Sequence, residues 1–173
     1  MKKYVALTVL ALTAVGVVAS HLDIEQHDDS FLLRVDGARF DLRGQVSAYV
    51  NQLTRRCDAV QARTLDEPLA QAVKQAISDF SPPDSRSLQL RQISTSGPWV
   101  LAEVEFANLQ PAVILWNQQA HGLAIDNGLI WSGSADPWVA GPWIRRYLQQ
   151  RAQQVPRGLL ACFDPTKALF GLK

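Results

Sequence analysis

Residues 31–43, Phe31-Leu32-Leu33-Arg34-Val35-Asp36-Gly37-Ala38-Arg39-Phe40-Asp41-Leu42-Arg43, alternate in character on both sides of an Asp-Gly pair. Phe31, Leu33 and Val35 share one parity before it. Ala38, Phe40 and Leu42 share one after it, with Arg34, Arg39, Asp41 and Arg43 in the opposite set. Period-2 alternation is the mark of a strand with two unlike faces, and Gly tolerates the positive φ that a two-residue turn demands. This stretch therefore predicts a β-hairpin.

Working outward toward the C-terminus, Gly44 interrupts the alternation and the period changes. Val46, Tyr49, Val50, Leu53 and Cys57 recur at three and four, which predicts a helix with these residues inward and Gln45, Asn51, Gln52, Arg55 and Arg56 toward water. Thr64-Leu65-Asp66-Glu67 fits a capping box, with Pro68 in the first turn of a second helix. The buried side expected there is Leu65, Leu69, Val73, Ala76, Ile77 and Phe80. Ser81-Pro82-Pro83 ends it, because Pro lacks the donor a continuing helix needs.

The middle of the chain returns to strand character. Leu88 and Leu90 suggest one strand and Gly97-Pro98 a turn. Val100, Ala102, Val104 and Phe106 then alternate with Trp99, Leu101, Glu103 and Glu105, which predicts a half-buried strand with two carboxylates on its wetter side. Ala112 to Trp116 and Leu123 to Trp131 are further apolar runs, the latter containing a turn or bulge at Asp126-Asn127-Gly128. A last helix is expected from about Pro142, with Trp143, Ile144, Tyr147 and Leu148 inward, stopping before Pro156. Strands grouped beside helices argue for an α+β domain, an antiparallel sheet with helices packed on one face. In outline this order resembles small exported domains of cystatin-like or nuclear-transport-factor-like shape. No diagnostic motif accompanies the outline, so it implies a shape and no activity.

Toward the N-terminus, residues 1–20 have the parts of a secretory signal: Lys2 and Lys3, an uncharged apolar stretch from Val5 to Val18, then the small Ala19 and Ser20. The expected organisation is a signal peptide over 1–20, a flexible mature N-terminus over 21–30 and one α+β domain over 31–173. The alternative is a retained anchor at an inner membrane, facing the periplasm. Removing Lys2 and Lys3 leaves 15 basic residues against 16 acidic ones, a balance with no general attraction for nucleic acid. Cys57 and Cys162 are an isolated pair in an exported chain and read as a disulfide. Its loop of about a hundred residues is worth up to ~4–5 kcal/mol in the chain-entropy model. The competing reading, Cys57 as a nucleophile with His121 as base, has no local feature marking an activated thiol.

Candidate sites follow from composition. All five tryptophans fall between Trp99 and Trp143, and Trp131, Trp138 and Trp143 frame a loop containing Ser134 and Asp136. Indole faces with directed hydrogen-bonding groups can stack on a sugar or grip a peptide; the alternative is that they fill the end of the core. No acidic residue lies between Asp136 and Asp164, where Arg145, Arg146, Arg151 and Arg157 fall, a composition suited to an anionic partner. Glu103, Glu105 and Asp136 are the carboxylates a small envelope hydrolase would use. His21 with His27 or His121 could chelate a metal only if the cut left His21 first, and a frayed tail is the simpler reading. Ser132 and Ser134 lie outside a nucleophile elbow, and no cofactor motif is readable. The function expected is a non-catalytic periplasmic binding or accessory protein. Trp131, Ser134, Asp136, Trp138, Trp143, Arg145 and Arg146 would hold a partner protein or envelope polymer. The membrane is a partner only if the N-terminal segment is retained.

Overall fold

A computed structural model describes residues 20–27, 30–80, 84–118, 123 and 129–170. The apolar run Val5–Val18 read as part of a signal, His121, the turn expected at Asp126-Asn127-Gly128 and Ser81-Pro82-Pro83 lie outside them. Contacts within the chain cluster into two units, up to Val46 and from Ser47 onward.

The first unit is a three-stranded antiparallel sheet in the order β1 (Leu22–His27), β2 (Ser30–Val35), β3 (Ala38–Phe40). The hairpin is present with Val35 opposite Ala38, and both turn residues take positive φ, 48° at Asp36 and 85° at Gly37. That is the pattern of the two-residue turn whose twist matches the strands. Residues 21–30, expected to be flexible, contain a full strand instead: Leu22 to His27 pair with Val35 to Ser30 without a break. Leu22, Ile24 and Gln26 alternate with Asp23, Glu25 and His27, a strand pattern easily mistaken for a polar tail.

Helix α1 (Leu42–Thr54) starts earlier than the Val46 stripe suggests. Asp41 lies in the flanking position and its Oδ1 accepts the Gly44 N–H at 2.7 Å, which satisfies one of the donors every helix start leaves open. Its predicted buried stripe is turned outward. Val46, Tyr49, Val50 and Leu53 are exposed, Leu53 at 67%. The polar side makes the attachments, with Asn51 Nδ2 donating to the Ala161 carbonyl at 2.8 Å and Arg55 paired with Asp164. Spacing fixed which residues share a stripe; long-range bonds of Asn51 and Arg55 fixed which way the helix faces.

The second unit is built on a five-stranded antiparallel sheet in sequence order: β4 (Gln61–Arg63), β5 (Gln89–Ser96), β6 (Trp99–Glu105), β7 (Ala112–Asn117) and β8 (Ile130–Ser132). Among the described residues it is accompanied by α2 (Pro68–Phe80), α3 (Ala140–Arg151), α4 (Arg157–Ala161) and α5 (Lys167–Phe170). The architecture is α+β with antiparallel sheets, but helices cover both faces of this sheet where one is expected. Leu101, Val113, Leu115 and Trp131 pack with Ile144 and Leu148 of α3, Leu159 of α4 and Phe170 of α5. Val100, Ala102, Val104, Ile114 and Trp116, of opposite parity, pack with Ala70, Val73 and Ile77 of α2. β6 consequently has no wet side. Helix α2 opens at Pro68, four residues after the expected cap, and the Thr64 N–H and hydroxyl reach Glu67 Oε1 in the turn before it. Leu65 and Phe80, expected inward, are exposed at the ends of the Ala70–Ile77 stripe.

Replacement of core and stripe residues separates the two environments. Leu101→Ala is expected to cost about 2–5 kcal/mol, whereas Leu53→Ala stays within about 0.5 kcal/mol; urea unfolding of the oxidised protein checks both.

Candidate functional site: an arginine-lined cleft between three helices

The segment Cys162 to Thr166 ties the parts of the second unit together. Cys162 and Cys57 form the expected disulfide, with their Cα atoms 5.8 Å apart. The Phe163 carbonyl accepts from an Arg145 guanidinium nitrogen at 3.0 Å. The Asp164 carbonyl accepts from Gln92 Nε2 at 2.9 Å while its carboxylate pairs with Arg55. The Thr166 N–H donates to Glu103 Oε2 at 3.1 Å, and Gln92 Nε2 donates to the same oxygen at 2.6 Å.

Glu103 is therefore no surface carboxylate. It is 0% exposed, beside Val113 on the sheet face that α3, α4 and α5 cover. A buried carboxyl is tolerated when its oxygens are bonded. The register supplies one partner. A bulge between Leu90 and Gln92 lets Leu90 face the α2 side while Gln92, two residues on, stands opposite Glu103. Glu105, at the strand's end, accepts from Arg91 Nε at 2.7 Å.

Above this segment α1, α3 and α4 enclose a cleft of about 450 Å³, lined by Ser47 and Asn51, by Pro142, Arg145, Arg146, Gln149 and Gln150, and by Arg157, Leu160 and Ala161. The α3 residues follow from helical geometry. At 100° per residue, 142, 145, 146 and 149 fall on the side opposite the buried Ala140, Ile144 and Leu148. Among the described residues, three guanidinium groups and no carboxylate line the cleft. Burial pushes the Arg145 pKa down, with Asp164 opposing that shift and Arg55 adding to it. A guanidinium remains charged at neutral pH regardless. Arg151, the remaining arginine of the acid-free run, lies instead over the Tyr147 ring, 3.7 Å from its centroid.

The aromatic candidates divide. Trp131 is core, edge-on to Phe170 with centroids 5.3 Å apart. Trp138 and Trp143 stack on each other, centroids 4.9 Å apart and planes 5° from parallel, and both are partly exposed. The loop carrying Trp138 is pinned by Gly133 N–H to the Pro111 carbonyl and Ala135 N–H to the Phe170 carbonyl. Ser134 and Asp136 are exposed in it, with the Asp136 N–H donating to Ser134 Oγ at 3.1 Å. Trp143 lies on α3 three residues before Arg146, which puts the stacked pair at the flank of the arginine side.

Of the seven proposed binding residues, the cleft takes Arg145 and Arg146. Arg157 and Asn51 belong with them. Arg157 was visible in the acid-free run; Asn51 gave no signal, because its role depends on α1 facing the other way. Glu103, Glu105 and Asp136 do not line this cleft. At the N-terminus His21 Nδ1 lies 2.5 Å from Asp36 Oδ1, and His27 Nε2 lies 2.8 Å from Glu25 Oε1, so both imidazoles are engaged with carboxylates. Among the described residues no group of three or more His, Cys, Asp or Glu is placed to hold a metal. No family model, curated protein or solved structure matches the chain, and neither the cystatin-like nor the nuclear-transport-factor-like outline is assigned.

Glu103→Ala is expected to strand the Thr166 N–H and cost about 2–3 kcal/mol, with Glu103→Gln losing less because one acceptor oxygen remains. Denaturant unfolding with the disulfide intact reads the difference.

Proposed function

We propose that this chain is an exported, non-catalytic binding or accessory protein of the bacterial periplasm that holds an anionic partner, an acidic protein surface or an envelope polymer, in the arginine cleft. The observation that carries the reading is the set Arg145, Arg146 and Arg157 converging from α3 and α4 on one cleft that no carboxylate among the described residues lines. Guanidinium groups bind carboxylate and phosphate through paired, charge-assisted hydrogen bonds, and Ser47, Asn51, Gln149 and Gln150 add neutral hydrogen-bonding groups beside them. The stacked Trp138–Trp143 pair offers an apolar flank of the kind that anchors a protein interface. An inhibitor-like or immunity-like role lies within this reading, since it asks only for a rigid scaffold presenting a few such anchors.

Export is supported by the Lys2-Lys3 and Val5–Val18 pattern. The Cys57–Cys162 bridge agrees with it, because disulfides persist in oxidising compartments. Among the described residues no helix is long and apolar enough to cross a membrane.

Titration with poly-L-glutamate and with inorganic polyphosphate tests the reading. The wild type is expected to bind at least one of them, with affinity falling as salt rises. Arg146→Glu combined with Arg157→Glu lowers that affinity tenfold or more. Arg145 is left intact because it also holds the Phe163 carbonyl. Absence of binding to either polymer, or binding that ignores the double charge reversal, would sink the proposal.

A further inference from the structure

The sheet of the first unit has two unlike faces. Directly opposed residues of paired strands point to the same side, and the register sets Leu22 against Val35, Ile24 against Leu33 and Leu33 against Phe40. With Phe31, opposite Gln26, these make one continuous apolar face. Asp23, Glu25, His27, Arg34 and Arg39 alternate with them and occupy the other, together with Ser30 and Leu32, which are 8% and 0% exposed. Apolar residues on a half-buried sheet normally point into a core. Here Ile24 is 68% exposed, and Leu22, Phe31 and Phe40 are exposed at 40–45%. Single exposed apolar residues need no explanation, but a contiguous face does.

The chain outside the described residues indicates what covers it. The uncharged run Val5–Val18 ends four residues before Leu22. Four residues of fully extended chain span at most about 14 Å. When that run lies in hydrocarbon, β1 must begin at or near the headgroup layer, whose thickness is about 5–8 Å per leaflet. Charge agrees with an apolar contact. Residues 20–46 hold six acidic and three basic side chains, so anionic lipid does not attract this unit. Asp23 and Glu25 lie on the face away from the apolar one.

We infer that, in the retained form, the apolar face of β1–β3 seats in the interfacial layer of the bilayer, with the face of Asp23, Glu25 and the buried Leu32 turned away from it. The inference uses the retained-anchor form of the chain and is independent of the arginine cleft.

The test reconstitutes the full chain in phosphatidylcholine vesicles carrying a lipid spin-labelled high on its acyl chain. Phe31→Trp and Arg39→Trp variants are compared, with the emission of the five native tryptophans subtracted using the parent. Flotation with the vesicles is expected for all three. The added emission at residue 31 should be quenched at least threefold more than that at residue 39, and equally at 50 mM and 500 mM salt. Ile24→Trp replaces Phe31→Trp if the latter fails to form the Cys57–Cys162 bridge. Equal quenching at residues 31 and 39 overturns the inference, as does failure of the chain to float. Unquenched emission at residue 31 together with concentration-dependent dimerisation in detergent also overturns it, and assigns the face to a second copy of the chain.

Discussion

The buried carboxyl of Glu103 is the constraint on which the second unit depends. Placed on a sheet face that three helices cover, it must have hydrogen-bond donors, and Gln92 and the Thr166 backbone supply them. Once Thr166 is fixed to the sheet, the four residues before it are drawn into a narrow strip. In that strip Cys162 is bridged to Cys57, the Phe163 carbonyl meets Arg145, and Asp164 meets Gln92 and Arg55. A polar group that costs free energy to bury thereby selects one arrangement of the C-terminal segment over the many an apolar core would tolerate.

The geometry of the cleft is inherited from that strip. Arg145 is held from below by the Phe163 carbonyl, and α1 is held from the side by Asn51 on the Ala161 carbonyl. Side chains that are fixed before a ligand arrives lose less freedom on binding, which makes a positioned guanidinium a better anion receptor than a surface arginine of equal charge. The same attachments turn α1 so that its apolar stripe faces out. The protein thus presents a basic cleft on the polar side of α1, while Val46, Tyr49, Val50 and Leu53 point away from it.

A carboxylate in sequence carries no sign of whether it is catalytic, solvated or structural. Glu103 and Glu105 differ by two positions on one strand and share a face, yet one is sealed beneath α3 to α5 and the other closes the strand end against Arg91. The tryptophans show the same. Trp131 fills the core against Phe170, whereas Trp138 and Trp143 cover each other at the surface, and nothing in their spacing separates these roles.

What residue order alone determined was local. The Asp36-Gly37 hairpin was legible because a two-residue turn demands positive φ, and the disulfide because two cysteines behind a signal-like N-terminal pattern pair most simply with each other. The strand character of Trp99–Glu105 and the inward Ile144 and Leu148 of α3 followed from period alone. Tertiary structure decided the rest: that β1 is a strand, that helices cover both sheet faces, that Glu103 is buried, and that α1 faces its polar side inward. The first rests on pairing with the neighbouring β2; the other three share one physical reason. Periodicity sorts side chains into faces, but which face is covered depends on partners such as Ala161, Asp164 and Thr166, which lie 63 to 110 residues away in the chain.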